Sequence, residues 1–491
     1  MVVSKDKHSI QQEYLNSLVG SYLNKTPSSK QVAEKYRPVF ADKSSLGFNF
    51  SLELKEICYP VVCDRSSGSR LWDIDGNEYI DMLMGLGINL FGHNPDFVKK
   101  AIAQQLEKGI QISPQNDLAG EVTQLISELS GMERVTLSNT GTEAVMTAMR
   151  IARAATNKSK IAIFTNSYHG HSDSTLVRAR ITEYAKKAAN RVLDKSNGWL
   201  KTFVSPLQSG LKNSINPAAV PAAPGVSANV AQDILVLDYG NPQSLEIIKA
   251  NQKDLAAVIV EPIQSRCPEL QPREFLQSLR SITQNSGIIL IFDEMVTGFR
   301  LLPGGAQQWF DVRADLVTYS KIIGGGMPMS AIAGKAEYMA LIDGGIWQYG
   351  DESAPTTKTT FFAGTFCKHP LAMAAARAVL SEIKLKGDSL YHELNQRTSQ
   401  LVENLNQYNA EENIPVQFTC FGSFLAIAMT QSKISQTAIN LLSYQLLNQG
   451  IHLRQGDKGG FLSTAHTEAD ISSIQQAWQL GLKSLQQAEF I

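Results

Sequence analysis

The strongest constraint on the fold lies between residues 134 and 321, where short runs rich in Val and Ile alternate with helix-patterned stretches. RVTLS (134–138) precedes TEAVMTAMRIARAA (142–155), and KIAIF (160–164) follows. LAAVIVE (255–261) precedes REFLQSLRSITQ (273–284), and GIILIFDE (287–294) and LVTYSK (316–321) come next. Strands apolar on both faces need cover on both sides. The pattern therefore predicts an α/β fold, with a mostly parallel sheet between helices.

The flanks read differently. Residues 1–35 are polar, and Ile10, Tyr14, Leu15 and Leu18 fit one short helix before a TPSSK linker. Residues 59–81 read as strands, with Asp75-Gly76 a hairpin turn between LWDI and EYID. Leu118, Val122, Leu125, Ile126 and Leu129 share a helix face that Gly131 should end. Residues 371–407 read as helical, and SFLAIAMT (423–430) alternates as a strand does. The expected organisation is a polar helix and linker (1–35), the N-terminal part of a small domain with an arm (36–110), a large domain (111–370) and the C-terminal small domain (371–491). The small domain is then α+β and built from both chain ends. Residues 178–228, Lys- and Ser-rich and then Pro/Ala-rich, interrupt the alternation and read as a surface excursion.

Composition narrows the function. Lys and Arg number 45 against 46 Asp and Glu, a net charge of −1. That leaves no global electrostatic case for nucleic acid or an anionic membrane. No apolar stretch is long enough to span a bilayer, and the N-terminus lacks a signal-peptide core. The five cysteines are scattered, without metal-ligand spacing. A cytoplasmic protein with free thiols is expected.

Two residues at strand ends carry the chemistry. Asp293 closes IILIFDE, and Lys321 follows LVTYS and precedes Gly324-Gly325-Gly326. The carboxyl ends of parallel strands open into ligand crevices. Taken singly, such an Asp is as readily a turn residue and such a Lys a surface charge. Ser138-Asn139-Thr140-Gly141-Thr142-Glu143 sits where backbone amides at a helix start grip phosphate, or where Thr140 or Thr142 caps a helix. Neither GxGxxG nor GxxxxGK[ST] is present, which argues against a dinucleotide or P-loop site. Tyr168-His169-Gly170-His171 offers an aromatic plate but a poor metal site. Pyridoxal phosphate needs all these parts: a lysine for an imine, a carboxylate for the ring nitrogen, a phosphate cup and an aromatic neighbour.

With SNTGTEA (138–144), YHGHSD (168–173), VEP (260–262), DEMVTGFR (293–300), SKIIGGGMP (320–328) and AGTFCKHP (363–370), the chain resembles the class III pyridoxal-phosphate aminotransferases of fold type I. The 28-residue separation of Asp293 and Lys321 fits that family. The resemblance implies that Lys321 holds the cofactor as an imine and shuttles the proton, while Asp293 pairs with the ring nitrogen. It places Tyr168 and Val296 on the two ring faces, with His169 beside the cofactor. Gly141 and Thr142 would bind its phosphate, and Thr365 would reach the cofactor of a second subunit, so the active unit would be a homodimer. Glu261 would orient the donor or its hydrogen bonds. Within the class, GSRLWDIDGNEYID, EPIQSRCPELQPREFL and GGFLSTAHTEADI resemble the aminotransferase domains of hybrid polyketide/nonribosomal peptide synthases. That branch implies transfer from an amino acid donor, glutamate or glutamine, to a β-ketoacyl thioester on an acyl carrier protein. YHGHSD and GTF resemble glutamate-1-semialdehyde 2,1-aminomutase instead. A free small-molecule ω-aminotransferase and an inactive carrier-docking scaffold also stay open. GFLSTAHT lacks the arginine with which many class III ω-aminotransferases hold a carboxylate, leaving Arg300 and Arg454 as candidates, each equally suited to a structural salt bridge.

Overall fold

The computed structural model describes residues 6–46, 50–179 and 218–491. The chain divides into two compact units, one of Met1–Glu107 with Glu382–Ile491, the other of Lys108–Ser381. The α+β unit is thus assembled from both chain ends, and the α/β unit is one continuous segment of sequence.

The α/β unit is organised by a seven-stranded sheet: β1 (Arg134–Ser138), β2 (Lys160–Phe164), β3 (Ile234–Leu237), β4 (Leu255–Val260), β5 (Ile289–Asp293), β6 (Leu316–Tyr319) and β7 (Ser330–Gly334). Their spatial order is β1-β7-β6-β5-β4-β2-β3. The pairs β3–β2, β2–β4, β4–β5 and β5–β6 are parallel, whereas β7 runs antiparallel to both neighbours. Every residue of β4, β5, β6 and β7 is buried. That double-sided burial is the reason the strands read as unbroken apolar runs. Two strands differ from the sequence expectations. β7 is SAIAG, small residues without strong β preference, and β3 follows the Pro/Ala-rich interruption.

The helix Gly141–Thr156 starts where its sequence provides a cap. Thr140 Oγ1 accepts from Glu143 N at 3.2 Å, and Glu143 Oε2 accepts from Thr140 N at 3.1 Å. This capping box satisfies two otherwise orphaned donors. The helix Leu118–Ser130 ends at Gly131, whose φ of 67° only glycine adopts without strain.

In the α+β unit, Arg70–Asp73 and Glu78–Asp81 form the expected antiparallel pair around Asp75-Gly76, joined by Cys63–Ser67 and Ile451–His452. Residues 59–62 are not strand, so this sheet begins later than the sequence suggested. A second sheet contains Phe418–Phe421, Phe424–Ile427 and Gly459–Phe461.

One other expectation needs correction. The TPSSK segment is no linker: Thr26 separates the helix Lys7–Lys25 from a second helix, Pro27–Tyr36. Proline is tolerated at a first helical position, where its missing N–H has no intrahelical role. The helical stretch 371–407 lies in two helices, Pro370–Lys386 and Asp388–Glu411, divided at Gly387 with φ of 54°. Most of the predicted 178–228 excursion, residues 180–217, lies outside the described residues. Its described ends pair as antiparallel strands, Val177–Ala179 with Ala219–Pro221. Among the described residues no helix is long and apolar enough to cross a membrane.

Candidate active site

Adjacent parallel strands bring the two principal residues together. Asp293, the last residue of β5, is in register with Thr318 of β6, and Lys321 follows two residues after β6 ends. Lys321 has φ of 52°, a left-handed conformation that costs a non-glycine residue on the order of 1 kcal/mol. Ser320 anchors the turn by donating its hydroxyl to Met329 O at 2.6 Å. Gly325 packs so tightly that a Cβ there would lie 2.9 Å from Val379 Cγ2. Gly325 is therefore a packing requirement of the turn that carries the lysine.

Asp293 is buried, and its carboxylate is oriented from two sides. Its Oδ2 accepts from His169 Nδ1 at 2.7 Å, and its Oδ1 accepts from Met295 N at 3.2 Å. His169 is equally buried, and its Nε2 has no hydrogen-bond partner among the described residues. Burial disfavours the imidazolium. The hydrogen bond and charge of Asp293, with the Glu261 carboxylate, outweigh it and raise the His169 pKa.

Glu261, just past β4, is buried and accepts from Tyr168 N at 2.9 Å. Burial pushes its carboxyl up to about 7 and the Asp293 charge adds to this, against the opposing pull of His169 and Lys321. Burial lowers the Lys321 amine from the ordinary lysine value; Asp293 and Glu261 resist the shift, and Arg300 adds to it. A histidine, a glutamate and a lysine are thus perturbed in the single region around Asp293, the pattern expected where proton transfer is required.

The remaining candidates frame this group. Gly141 opens its helix so close to the β5 turn that a Cβ would lie 2.8 Å from Met295 Sδ. Thr142 Oγ1 accepts from His171 N at 3.3 Å, and Gly170 packs directly against Thr142. The cap and phosphate-cup readings of SNTGTEA are therefore compatible: Thr140 and Glu143 cap, and Gly141 and Thr142 stand beside the YHGH turn. Tyr168 is 49% exposed and offers a free ring area. Val296 is partly buried, and its carbonyl accepts from Arg300 Nε at 3.0 Å. Thr365 is exposed, with no side-chain hydrogen bond among the described residues, so this chain does not draw it into the group.

Two features were not visible as functional in the sequence. Glu294, beside Asp293, is buried and accepts from Thr297 Oγ1, Ala306 N and Gln307 N, tying the β5 turn to the chain beyond it. The adjacent acidic pair in DEMV was the available signal. Arg266, within the EPIQSRC stretch, lies over the Tyr168 ring. Of the two arginines weighed as carboxylate ligands, Arg454 is paired with Asp457 at 2.7 Å, the structural role, and Arg300 is buried.

A partly buried lysine on a strained turn, an Asp–His pair and a small-residue helix start near an accessible tyrosine fit pyridoxal phosphate. The His169 Nε2 left without a partner marks polar capacity beyond what the fold uses. Comparisons with known proteins agree. Residues 53–459 match the family described as aminotransferase class-III. A glutamate-1-semialdehyde 2,1-aminomutase from Ruminiclostridium cellulolyticum is 34% identical over 433 residues, covering 85% of this chain and 89% of the relative. The structure of an omega-transaminase from Sphaerobacter thermophilus superposes with a TM-score of 0.78 at 25% identity, covering 93% of this chain and 98% of that one. A β-phenylalanine aminotransferase from Variovorax paradoxus gives a TM-score of 0.76 at 26% identity, covering 97% and 98%. The chain belongs to the class-III aminotransferase family, the pyridoxal-phosphate-dependent transaminases of fold type I.

Proposed function

We propose that this protein transfers an amino group at the Lys321 site in the manner of a glutamate-1-semialdehyde 2,1-aminomutase, acting on a small substrate with a carboxylate. The aminomutase relative, similar over most of both chains, supports this reading more directly than transfer to a carrier-bound chain. The observation that carries the chemistry is the convergence of Lys321, Asp293, His169 and Glu261.

Each residue then has a role. Lys321 would hold the cofactor, Asp293 its ring nitrogen, Tyr168 and Val296 its faces, and Gly141 and Thr142 its phosphate. Thr365 of a second copy of the chain would complete that phosphate site, making the working unit a dimer. When bound, the cofactor supplies an electron sink for the carbon bearing the amino group. Lys321 Nζ, its basicity lowered by burial, takes the proton from that carbon and returns it. His169 Nδ1 keeps Asp293 oriented. Glu261 fixes the Tyr168 backbone and, with a carboxyl near 7, is able to exchange protons at neutral pH.

A second reading retains transfer from glutamate or glutamine to a β-ketoacyl thioester on a carrier protein. It is favoured by the synthase-like strings, by GFLSTAHT without arginine, and by the β-phenylalanine aminotransferase among the structural neighbours. Three incubations of the purified protein with pyridoxal phosphate separate the readings. Conversion of glutamate 1-semialdehyde to 5-aminolevulinate supports the first. Glutamate-dependent amination of a carrier-bound β-ketoacyl chain, without that conversion, replaces it with the second. Inertness to both, and to glutamate alone, contradicts both.

A further inference from the structure

We propose that Arg266 is the residue that receives a substrate carboxylate at the mouth of the Lys321 site; this rests on the transaminase reading above. The Arg266 guanidinium carbon lies 5.4 Å from the centroid of the Tyr168 ring, within cation–π range. Its Nη1 donates to Ser167 O at 3.4 Å, a long bond that leaves most of the guanidinium's donors unused. The side chain is exposed, and no ion pair with a carboxylate is formed among the described residues. Its charge nevertheless reaches inward, opposing protonation of His169.

The local chain explains the placement. Glu261 is held just after β4 and accepts from Tyr168 N, so the 261–266 turn and the 167–168 turn are tied together. Ser265 Oγ lies 3.5 Å from Glu261 Oε1, continuing that link to the residue before the arginine. Arg266 therefore sits on the tyrosine whose backbone N–H is held by Glu261, the carboxylate that interacts with Lys321. A planar guanidinium already held over an aromatic ring loses little freedom when it forms a bidentate bond to a carboxylate. The other two arginines are worse placed to receive one, since Arg454 is engaged by Asp457, and Arg300 is buried with its Nε bound to Val296 O.

The test uses the enzyme loaded with pyridoxal phosphate and glutarate, a dicarboxylate that has no amine to react. Calorimetric titration of wild type, Arg266→Ala and Arg266→Lys reads binding without turnover. Arg266→Ala is expected to weaken glutarate about tenfold or more, and Arg266→Lys by less, as for loss of a charge-assisted hydrogen bond. In the glutamate half-reaction, KM should rise while the limiting rate stays within about threefold, the signature of lost ground-state binding. Unchanged glutarate affinity in Arg266→Ala would overturn the proposal, as would absence of glutarate binding to wild type. A changed cofactor absorbance in Arg266→Ala with glutarate affinity intact would also overturn it, assigning Arg266 to support of Tyr168. Failure of the transaminase reading is seen separately, as a wild-type cofactor spectrum that no amino donor changes.

Discussion

Asp81 in the α+β unit and Asp293 in the α/β unit are both buried carboxylates that accept an imidazole hydrogen bond at 2.7 Å, yet their surroundings differ. Asp81 is saturated. Its Oδ2 accepts from His93 Nε2 and Met84 N, and its Oδ1 from His452 Nδ1 and Leu83 N. Burial alone would raise its pKa, but the two histidines outweigh that and hold it far below the usual carboxylate range. Among the described residues Asp293 has only His169 and Met295 N, and its histidine keeps an unpartnered nitrogen. Around it a glutamate is pushed up and a lysine down. The same bond therefore closes one network and leaves the other with capacity for a ligand, which distinguishes structure from function better than burial does.

Breaking each network should have a different consequence. Lys321→Ala should show the largest effect, no measurable steady-state turnover, with an unfolding midpoint close to wild type. Retained turnover in a steady-state assay would remove the assignment. Asp293→Asn should lower turnover on the order of 10³-fold, through loss of charge stabilisation, and should retain cofactor more weakly on dialysis. Asp81→Asn should act on stability instead, costing about 1–3 kcal/mol in denaturant unfolding, because two imidazoles and two backbone amides lose the buried carboxylate they bond to.

The pH dependence sharpens the contrast. The depressed pKa of Asp81 stabilises the fold fully above the unfolded value of 3.8, and that contribution is lost as pH falls toward the folded value. Asp81→Asn should remove this acid-side slope. Glu294 behaves oppositely, since burial raises its carboxyl from 4.5 to about 7 despite three hydrogen bonds. Its contribution is present below 4.5 and is lost as pH rises through about 7. Glu294→Gln should flatten stability across that interval, the smallest of these effects. A denaturation series at stepped pH checks both.

The sequence exposed the site better than it exposed its supports. Lys321, Asp293 and the SNTGTEA and YHGH segments are contiguous motifs at strand ends, and β1 and β2 have the boundaries that RVTLS and KIAIF suggested. The capping box was readable because Thr140 and Glu143 stand three residues apart. By contrast, β7 escaped notice because SAIAG is selected by burial between β1 and β6, a tertiary condition that local propensity does not carry. TPSSK misled because Ser and Pro favour both loops and helix starts. The Asp293–His169 bond joins residues 124 apart, and the Arg266–Tyr168 contact depends on two turns meeting; neither has a local signature.

The central claim, that Lys321 is the cofactor-bearing amine of a transaminase site, is tested most directly by borohydride reduction of the protein loaded with pyridoxal phosphate, followed by peptide mass spectrometry. The account predicts a stable pyridoxyl group on the peptide containing Lys321. A group on another lysine, or no modification after loading, would contradict it.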